Sequence, residues 1–196
     1  MYYLNFIRDY SMSKRIGNCA NVVNWPEVIA QLEDKEPGHL LTERSVIDDC
    51  WFPGEEIESN QIYSRWADCN FNFGSTKWTV FRQGVHYSED VSTKMCEFLG
   101  IDLTYSWINR VDPGCVVPEH YDADADPLHN ADRKSRFICQ ISPPATGQVF
   151  LLEQEVFHNI LFGEVYQWDH FLQWHSASNS GVVPVYYFVI QGLKIK

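Results

Sequence analysis

The amino-acid sequence predicts a mainly β protein whose second half forms a double-sheet barrel. After residue 100, eight short runs of alternating apolar and polar residues follow one another, separated by Pro, Gly and Asn. Several short strands at this spacing are typical of a sandwich or a jelly roll. The aromatic content of 15% favours the same class, because aromatic side chains suit a pleated, half-buried surface.

The first half of the chain has a mixed pattern that predicts a supporting layer. We expect residues 1–100 to form an α/β region and residues 101–196 to form the barrel, together making one compact domain. A barrel of this size leaves outer sheet faces to cover. We therefore expect the N-terminal helices to pack on the outer sheet.

Two helices in this supporting region have clear boundary signals. One spans residues 25–32 and follows Asn24, a good N-cap residue. The other spans residues 88–99, with Ser88 as its cap and Gly100 as its stop. The other elements predicted in this half are strands over 2–7 and 76–81 and helical structure within 57–66.

The eight runs of the second half are the predicted barrel strands. They span residues 104–111, 115–121, 135–141, 147–152, 154–160, 163–168, 171–176 and 184–193.

Composition narrows the classes of function. The net charge of −11 disfavours binding to a phosphate backbone or an anionic membrane, so we expect neither a nucleic-acid nor a membrane partner. The six cysteines contain no C-x-x-C pair, which argues against a zinc knuckle or a dense disulfide framework. No secretory signal and no run of about 18 apolar residues is visible, and we expect a cytoplasmic protein.

The most informative motif is His120-x-Asp122 at the end of the second predicted strand. Side chains two apart in a strand point to the same side, so this pair can bind one metal. A second histidine would complete a 2-His-1-carboxylate face, which leaves coordination positions open and is diagnostic of non-haem Fe(II) oxygenases. We predict His175, at the end of the seventh strand, with His170 as its rival. In a jelly roll we expect the second and seventh strands to be neighbours in opposed sheets.

These residues resemble the 2-oxoglutarate- and Fe(II)-dependent oxygenases, which carry an H-x-D…H triad on a double-stranded β-helix. The resemblance covers roughly residues 100–193. Within that superfamily, the H-x-x-x-N segment from His175 to Asn179 is similar to one in the aspartyl/asparaginyl β-hydroxylase group. The resemblance implies Fe(II), 2-oxoglutarate as co-substrate and O2. It also implies hydroxylation of a C–H bond in a protein side chain or a small metabolite.

Relatives in that group bind the distal carboxylate of 2-oxoglutarate with an arginine about ten residues after the second histidine, where this chain has Val185. An arginine suits a carboxylate because its planar fork donates two parallel hydrogen bonds. Arg136, in the third strand, is our candidate for this anchor. Its rivals are Arg110, Arg133 and Lys194, and the candidate donors to the keto-acid end of the co-substrate are Asn109 and Asn179.

Two alternatives of other classes stay open. A cupin-like metalloenzyme that does not use 2-oxoglutarate would keep the triad without needing a buried cation. A non-catalytic jelly-roll binding module would tolerate the loss of any one triad residue. Four aromatic residues are candidates for lining a substrate cleft, although aromatic residues in strands usually belong to the core: Trp168, Trp174, Tyr186 and Tyr187.

Overall fold

A computed structural model of the chain describes residues 13–34, 39–42, 77–120, 134–168 and 173–195. Within these ranges there are two helices and eleven strands. In chain order they are β1 (Lys14–Asn18), α1 (Trp25–Asp34), β2 (His39–Thr42), β3 (Lys77–Arg82), α2 (Glu89–Leu99), β4 (Ile101–Val111), β5 (Cys115–His120), β6 (Lys134–Gln140), β7 (Gln148–Leu152), β8 (Glu155–His158), β9 (Glu164–Trp168), β10 (His175–Asn179) and β11 (Val185–Lys194).

The eight strands β4 to β11 form a double-stranded β-helix, which confirms the predicted fold class. Four of them lie in a large sheet in the order β9-β6-β11-β4, and the other four form a small sheet in the order β5-β10-β7-β8. All pairings are antiparallel. Apart from the β7–β8 hairpin, the chain passes from one sheet to the other between successive strands, so the sheets enclose a common interior.

Two expectations about the seventh strand are wrong. The β5 and β10 strands are not in opposed sheets but are hydrogen-bonded neighbours in the small sheet. The seventh strand also begins at His175 and continues through the polar Ser-Ala-Ser-Asn sequence, whereas the predicted run over 171–176 placed His175 near its end. These polar residues continue the strand because β5 and β7 pair with it on both sides.

The large sheet extends beyond the double-stranded β-helix at both edges. The β1 strand pairs with β9 at one edge, and β3 and β2 follow β4 at the other. The β3 strand matches the prediction over 76–81, whereas β1 and β2 were not predicted, since β1 is mainly exposed and β2 has only four residues. The predicted strand over 2–7 and the helical structure within 57–66 lie outside the described residues.

Both predicted helices are present and cover the outer face of the large sheet. The Ser88 side chain caps α2 by accepting a hydrogen bond from the Asp90 N–H, and Gly100 ends the helix in a left-handed conformation. Trp25 of α1 and Met95 of α2 are fully buried in one core cluster with Phe188 of β11. At 10 and 11 residues, the two helices of the described ranges are too short to cross a membrane.

A second core cluster fills the space between the two sheets. The large sheet contributes residues such as Ile138 and Tyr187, and the small sheet contributes Phe150 and Ala177. Successive side chains of a strand point to opposite faces. The neighbours of Ile138 at two-residue spacing along β6, which include Arg136, therefore face the interior as well.

Candidate metal centre

His120 and His175 are brought together as direct neighbours on adjacent strands. His120 is the last residue of β5, His175 is the first residue of β10, and the two are paired in register. Their ring centroids lie 4.3 Å apart. His175 is buried and His120 is half-buried. The sequence predicted that these two histidines come together from opposed sheets, whereas in the structure they come together as neighbours in one sheet.

Both rings have the orientation of metal-binding histidines. The Nδ1 atom of His120 lies 2.7 Å from the Pro118 carbonyl oxygen, and Nδ1 of His175 lies 3.1 Å from the Gln173 carbonyl oxygen. A carbonyl oxygen can only accept, so Nδ1 is the protonated nitrogen in each ring. In the neutral imidazole the lone pair then belongs to Nε2, as in metal-binding histidines whose other N–H is held by a backbone carbonyl.

The spacing of the rings fits a shared metal. Two imidazoles that bind one metal at a right angle have ring centroids about 4.5 Å apart, if each nitrogen lies about 2.1 Å from the metal. The observed separation of 4.3 Å is close to this value. Imidazole donors suit iron as well as zinc, copper and nickel. These two residues therefore fit as two ligands of a divalent transition metal.

The third predicted ligand, Asp122, lies outside the described residues, two positions after His120 in the sequence. Among the residues that the structure does describe, no three His, Cys, Asp or Glu side chains are grouped so that they could hold a metal. The rival histidine His170 and the rival anchor Arg133 also lie outside the described ranges. The carboxylate of the triad remains a prediction.

Aromatic side chains surround the two histidines. The Trp78 ring stacks against His120 with a centroid distance of 6.5 Å. Trp168 and Phe150 lie 5.3 Å and 6.4 Å from the His175 ring. All three aromatic residues are buried. They give the histidine pair an apolar wall that limits the access of water.

Arg136 lies in the same interior and contacts side chains of both neighbouring strands. Its Nη2 donates to Oε1 of Gln191 on β11 at 2.6 Å, and its guanidinium carbon lies 5.9 Å from the centre of the Trp168 ring on β9. Arg136 is 7% exposed and is the only buried Lys or Arg among the side chains that the structure describes. Sequence reasoning missed Gln191, although a polar residue directly after the apolar run ending at Ile190 was a signal for it.

Two of the rival anchors are in unsuitable positions. Arg110 points to the opposite face of the large sheet, where its guanidinium pairs with Asp112 at 2.7 Å and lies over the Tyr186 ring. Lys194 is exposed at the end of β11, as expected from the sequence. Among the candidate anchors that the structure describes, this leaves Arg136 as the cation that faces the barrel interior.

The two predicted asparagines have different roles. Asn109 of β4 shares the interior face with Val111, and its Oδ1 atom is buried without a hydrogen-bond partner in the described part of the chain. Asn179 lies at the far end of β10 from His175, and its amide N–H groups donate to the carbonyls of Val111 and Val183. Both donors of Asn179 are therefore used within the fold. This argues against its predicted contact with a co-substrate.

No protein-family model matches this chain, and no curated protein sequence does. Its neighbours among solved structures include an oxidoreductase of the 2OG-Fe(II) oxygenase family from Burkholderia pseudomallei. That match has a TM-score of 0.42 and 13% identity over 86% of this chain and 90% of that one.

Cupin-type proteins are also among the neighbours. A predicted oxalate decarboxylase from Thermotoga maritima has a TM-score of 0.39 and 14% identity, covering 60% of this chain and 81% of that one. The cupin domain of an XRE family transcriptional regulator from Enterobacter cloacae has a TM-score of 0.39 and 12% identity, covering 60% and 98%. Likenesses this weak do not indicate an activity, and the fold assignment rests on the strand order described above.

Proposed function

We propose that this protein is an Fe(II)- and 2-oxoglutarate-dependent dioxygenase that hydroxylates a C–H bond of a protein side chain or a small metabolite. The observation that carries the proposal is the pairing of His120 and His175, with each Nδ1 turned to a backbone carbonyl of its own chain segment. The buried arginine in the same interior adds a site for an acidic co-substrate. Asp122 is the proposed third ligand.

Each group of the site has a defined task in this proposal. His120, Asp122 and His175 would hold Fe(II) as a 2-His-1-carboxylate ligand set. When bound, Fe(II) would supply the oxidative chemistry that converts 2-oxoglutarate and O2 to succinate and CO2 as the substrate is hydroxylated. Arg136 binds the distal carboxylate of 2-oxoglutarate through its guanidinium fork. Trp78, Phe150 and Trp168 keep water from the histidine pair.

A direct test combines metal titration with the addition of 2-oxoglutarate in the absence of O2. We expect one Fe(II) to bind, and then a weak visible charge-transfer band, because a keto acid that chelates Fe(II) gives such a band and a monodentate carboxylate does not. On admission of air, succinate should form slowly even without substrate. Fe(II) binding without either signal would favour a cupin-like metalloenzyme that does not use 2-oxoglutarate. Absence of metal binding would favour a binding module.

Single substitutions test the ligand set. Alanine at His120, Asp122 or His175 should weaken Fe(II) binding more than about 100-fold, since even the loss of an outer-shell partner typically costs 10–100-fold. His158→Ala is the matched control, because His158 is an exposed histidine on β8 of the same sheet. Unchanged affinity in the His175 variant would contradict the proposed pair and would transfer the role to His170.

A further inference from the structure

Trp168 carries a buried hydrogen-bond donor for which the described residues provide no acceptor. The residue ends β9 and is 3% exposed, and its Nε1 atom has no hydrogen-bond partner in the described part of the chain. Buried polar groups are normally paired, so an exception of this kind calls for an explanation. Trp25 shows the usual arrangement, because its Nε1 donates to the Cys19 carbonyl at 3.1 Å.

The position of this indole suggests what the missing acceptor is. Its ring lies 5.3 Å from the His175 ring and 5.9 Å from the guanidinium carbon of Arg136, its strand neighbour on β6. The Trp168 ring is therefore close to one proposed metal ligand and also to the proposed carboxylate anchor. An indole N–H can only donate, so its partner must be an acceptor atom.

We propose that the Trp168 N–H donates to a carboxylate oxygen of a short dicarboxylic acid bound between His175 and Arg136. This inference rests on the proposed function, which makes 2-oxoglutarate the acid. The guanidinium and the indole together offer donors only, and a carboxylate is the group that accepts from both. Trp168 would thus help to determine which acids the site accepts, and its N–H would find a partner only in the liganded protein.

The sharpest test removes the N–H without changing the ring. Replacement of Trp168 by 3-benzothienylalanine puts a sulfur atom in place of the N–H, and Trp168→Phe is the simpler second variant. We expect 2-oxoglutarate to bind the Fe(II) protein roughly 10- to 100-fold more weakly, as for a lost hydrogen bond to a charged group. Fe(II) affinity should change less than about twofold, since neither histidine loses its carbonyl partner. Anaerobic calorimetry measures both.

Thermal stability of the ligand-free protein separates this role from a structural one. The Trp168 isostere should not lower the melting temperature, because the N–H that it removes has no hydrogen-bond partner among the residues that the structure describes. The same isostere at Trp25 is the matched control. It should lower the melting temperature, because it breaks the bond to the Cys19 carbonyl, and it should leave 2-oxoglutarate binding unchanged.

An NMR readout does not depend on catalysis. The indole N–H resonance of Trp168, identified by its absence in Trp168→Phe, should move downfield when 2-oxoglutarate is added to the Fe(II)-free protein loaded with zinc, and also with succinate. If wild-type protein binds 2-oxoglutarate, and the isostere binds it equally well with no movement of this resonance, the inference is wrong. If the wild type binds no 2-oxoglutarate, the proposed function fails. In that case succinate is the probe that tests the inference by itself. If succinate does not move the Trp168 resonance, the inference is also wrong.

Discussion

At the scale of single residues, the site depends on how the backbone holds two imidazole rings. In both histidines the Nδ1 atom approaches the carbonyl of the residue two positions earlier, Pro118 in one case and Gln173 in the other. A partner in the backbone cannot be removed by a side-chain substitution. The ring orientation and tautomer are therefore properties of the strands themselves, which suits a permanent metal ligand.

Also at the residue scale, substitution of Arg136 tests its proposed role as the anchor for the distal carboxylate of 2-oxoglutarate. Arg136→Met keeps an unbranched, bulky side chain but leaves the bound carboxylate unpaired, which typically costs about 3–5 kcal/mol. We expect 2-oxoglutarate affinity to fall by roughly two to four orders of magnitude, with Fe(II) affinity nearly unchanged. Arg136→Lys should recover part of the loss, since an ammonium group cannot reproduce the two-pronged geometry.

Lys194→Ala is the control for this experiment, because Lys194 is an exposed cation on the strand next to Arg136. Its removal should leave co-substrate affinity as it is. A loss of affinity in the Lys194 variant, together with an unaffected Arg136 variant, would transfer the anchor to β11.

At the scale of secondary-structure elements, the turn before β9 connects three strands. Gly163 has a φ of +80°, its N–H donates to the Gln140 carbonyl at the end of β6, and its carbonyl accepts from the Cys19 N–H just after β1. A Cβ atom at Gly163 would lie 2.5 Å from the Ala20 backbone nitrogen. Only glycine therefore satisfies both the left-handed conformation and the close approach of the β1 segment.

Alanine substitutions at two glycines separate these two requirements. Gly163→Ala meets both penalties, and we expect it to lower the free energy of unfolding by roughly 3 kcal/mol or more. Gly114, in the turn between β4 and β5, has a φ of +76°, but no atom lies within 4 Å of the position that its Cβ would take. Gly114→Ala should cost only about 1–2 kcal/mol. Urea denaturation measures both, and equal costs would mean that the β1 segment can move aside freely.

At the scale of the whole molecule, two separate core clusters share the large sheet, and each contains a buried tyrosine. Tyr87 lies in the cluster under the helices, and Tyr187 lies in the cluster between the sheets. Burial raises the pKa of both hydroxyls well above the ordinary value, although the hydrogen bond between Tyr87 and Ser106 opposes the shift at Tyr87. Both tyrosines are therefore neutral in the folded protein at any physiological pH.

This burial predicts how stability depends on alkaline pH. The pKa of each buried tyrosine is higher in the folded protein than in the unfolded chain. Its contribution to the free energy of unfolding is therefore fully present below the unfolded tyrosine pKa of about 10 and is lost as pH rises above it. Each such group contributes a decrease of up to about 1.4 kcal/mol per pH unit. Above pH 10 the free energy of unfolding should decrease less steeply in the Tyr187→Phe variant, because one fewer buried hydroxyl group ionises on unfolding. Tyr105→Phe, at a position that is 47% exposed, is the control. An identical slope in the wild type and the Tyr187 variant would contradict the prediction.

The sequence by itself determined the features that depend on neighbouring residues. The strand periodicity after residue 100 predicted eight strands, and all eight are present. Ser88 and Gly100 marked the ends of α2, since capping needs only residues within one turn. The position of His120 at the end of a strand followed from the same local pattern.

Only the tertiary structure decided which strands are neighbours, because pairing joins segments that are far apart in the sequence and alternation does not specify a partner. It placed β10 beside β5, so that His175 pairs with His120 within one sheet. It used both donors of Asn179 in backbone hydrogen bonds, a role that the H-x-x-x-N pattern does not reveal. It also gathered Trp168, Arg136 and Gln191 from β9, β6 and β11 into one row across the large sheet. Side-chain contacts across three strands follow from register, and register is fixed only when the two sheets close around a common core.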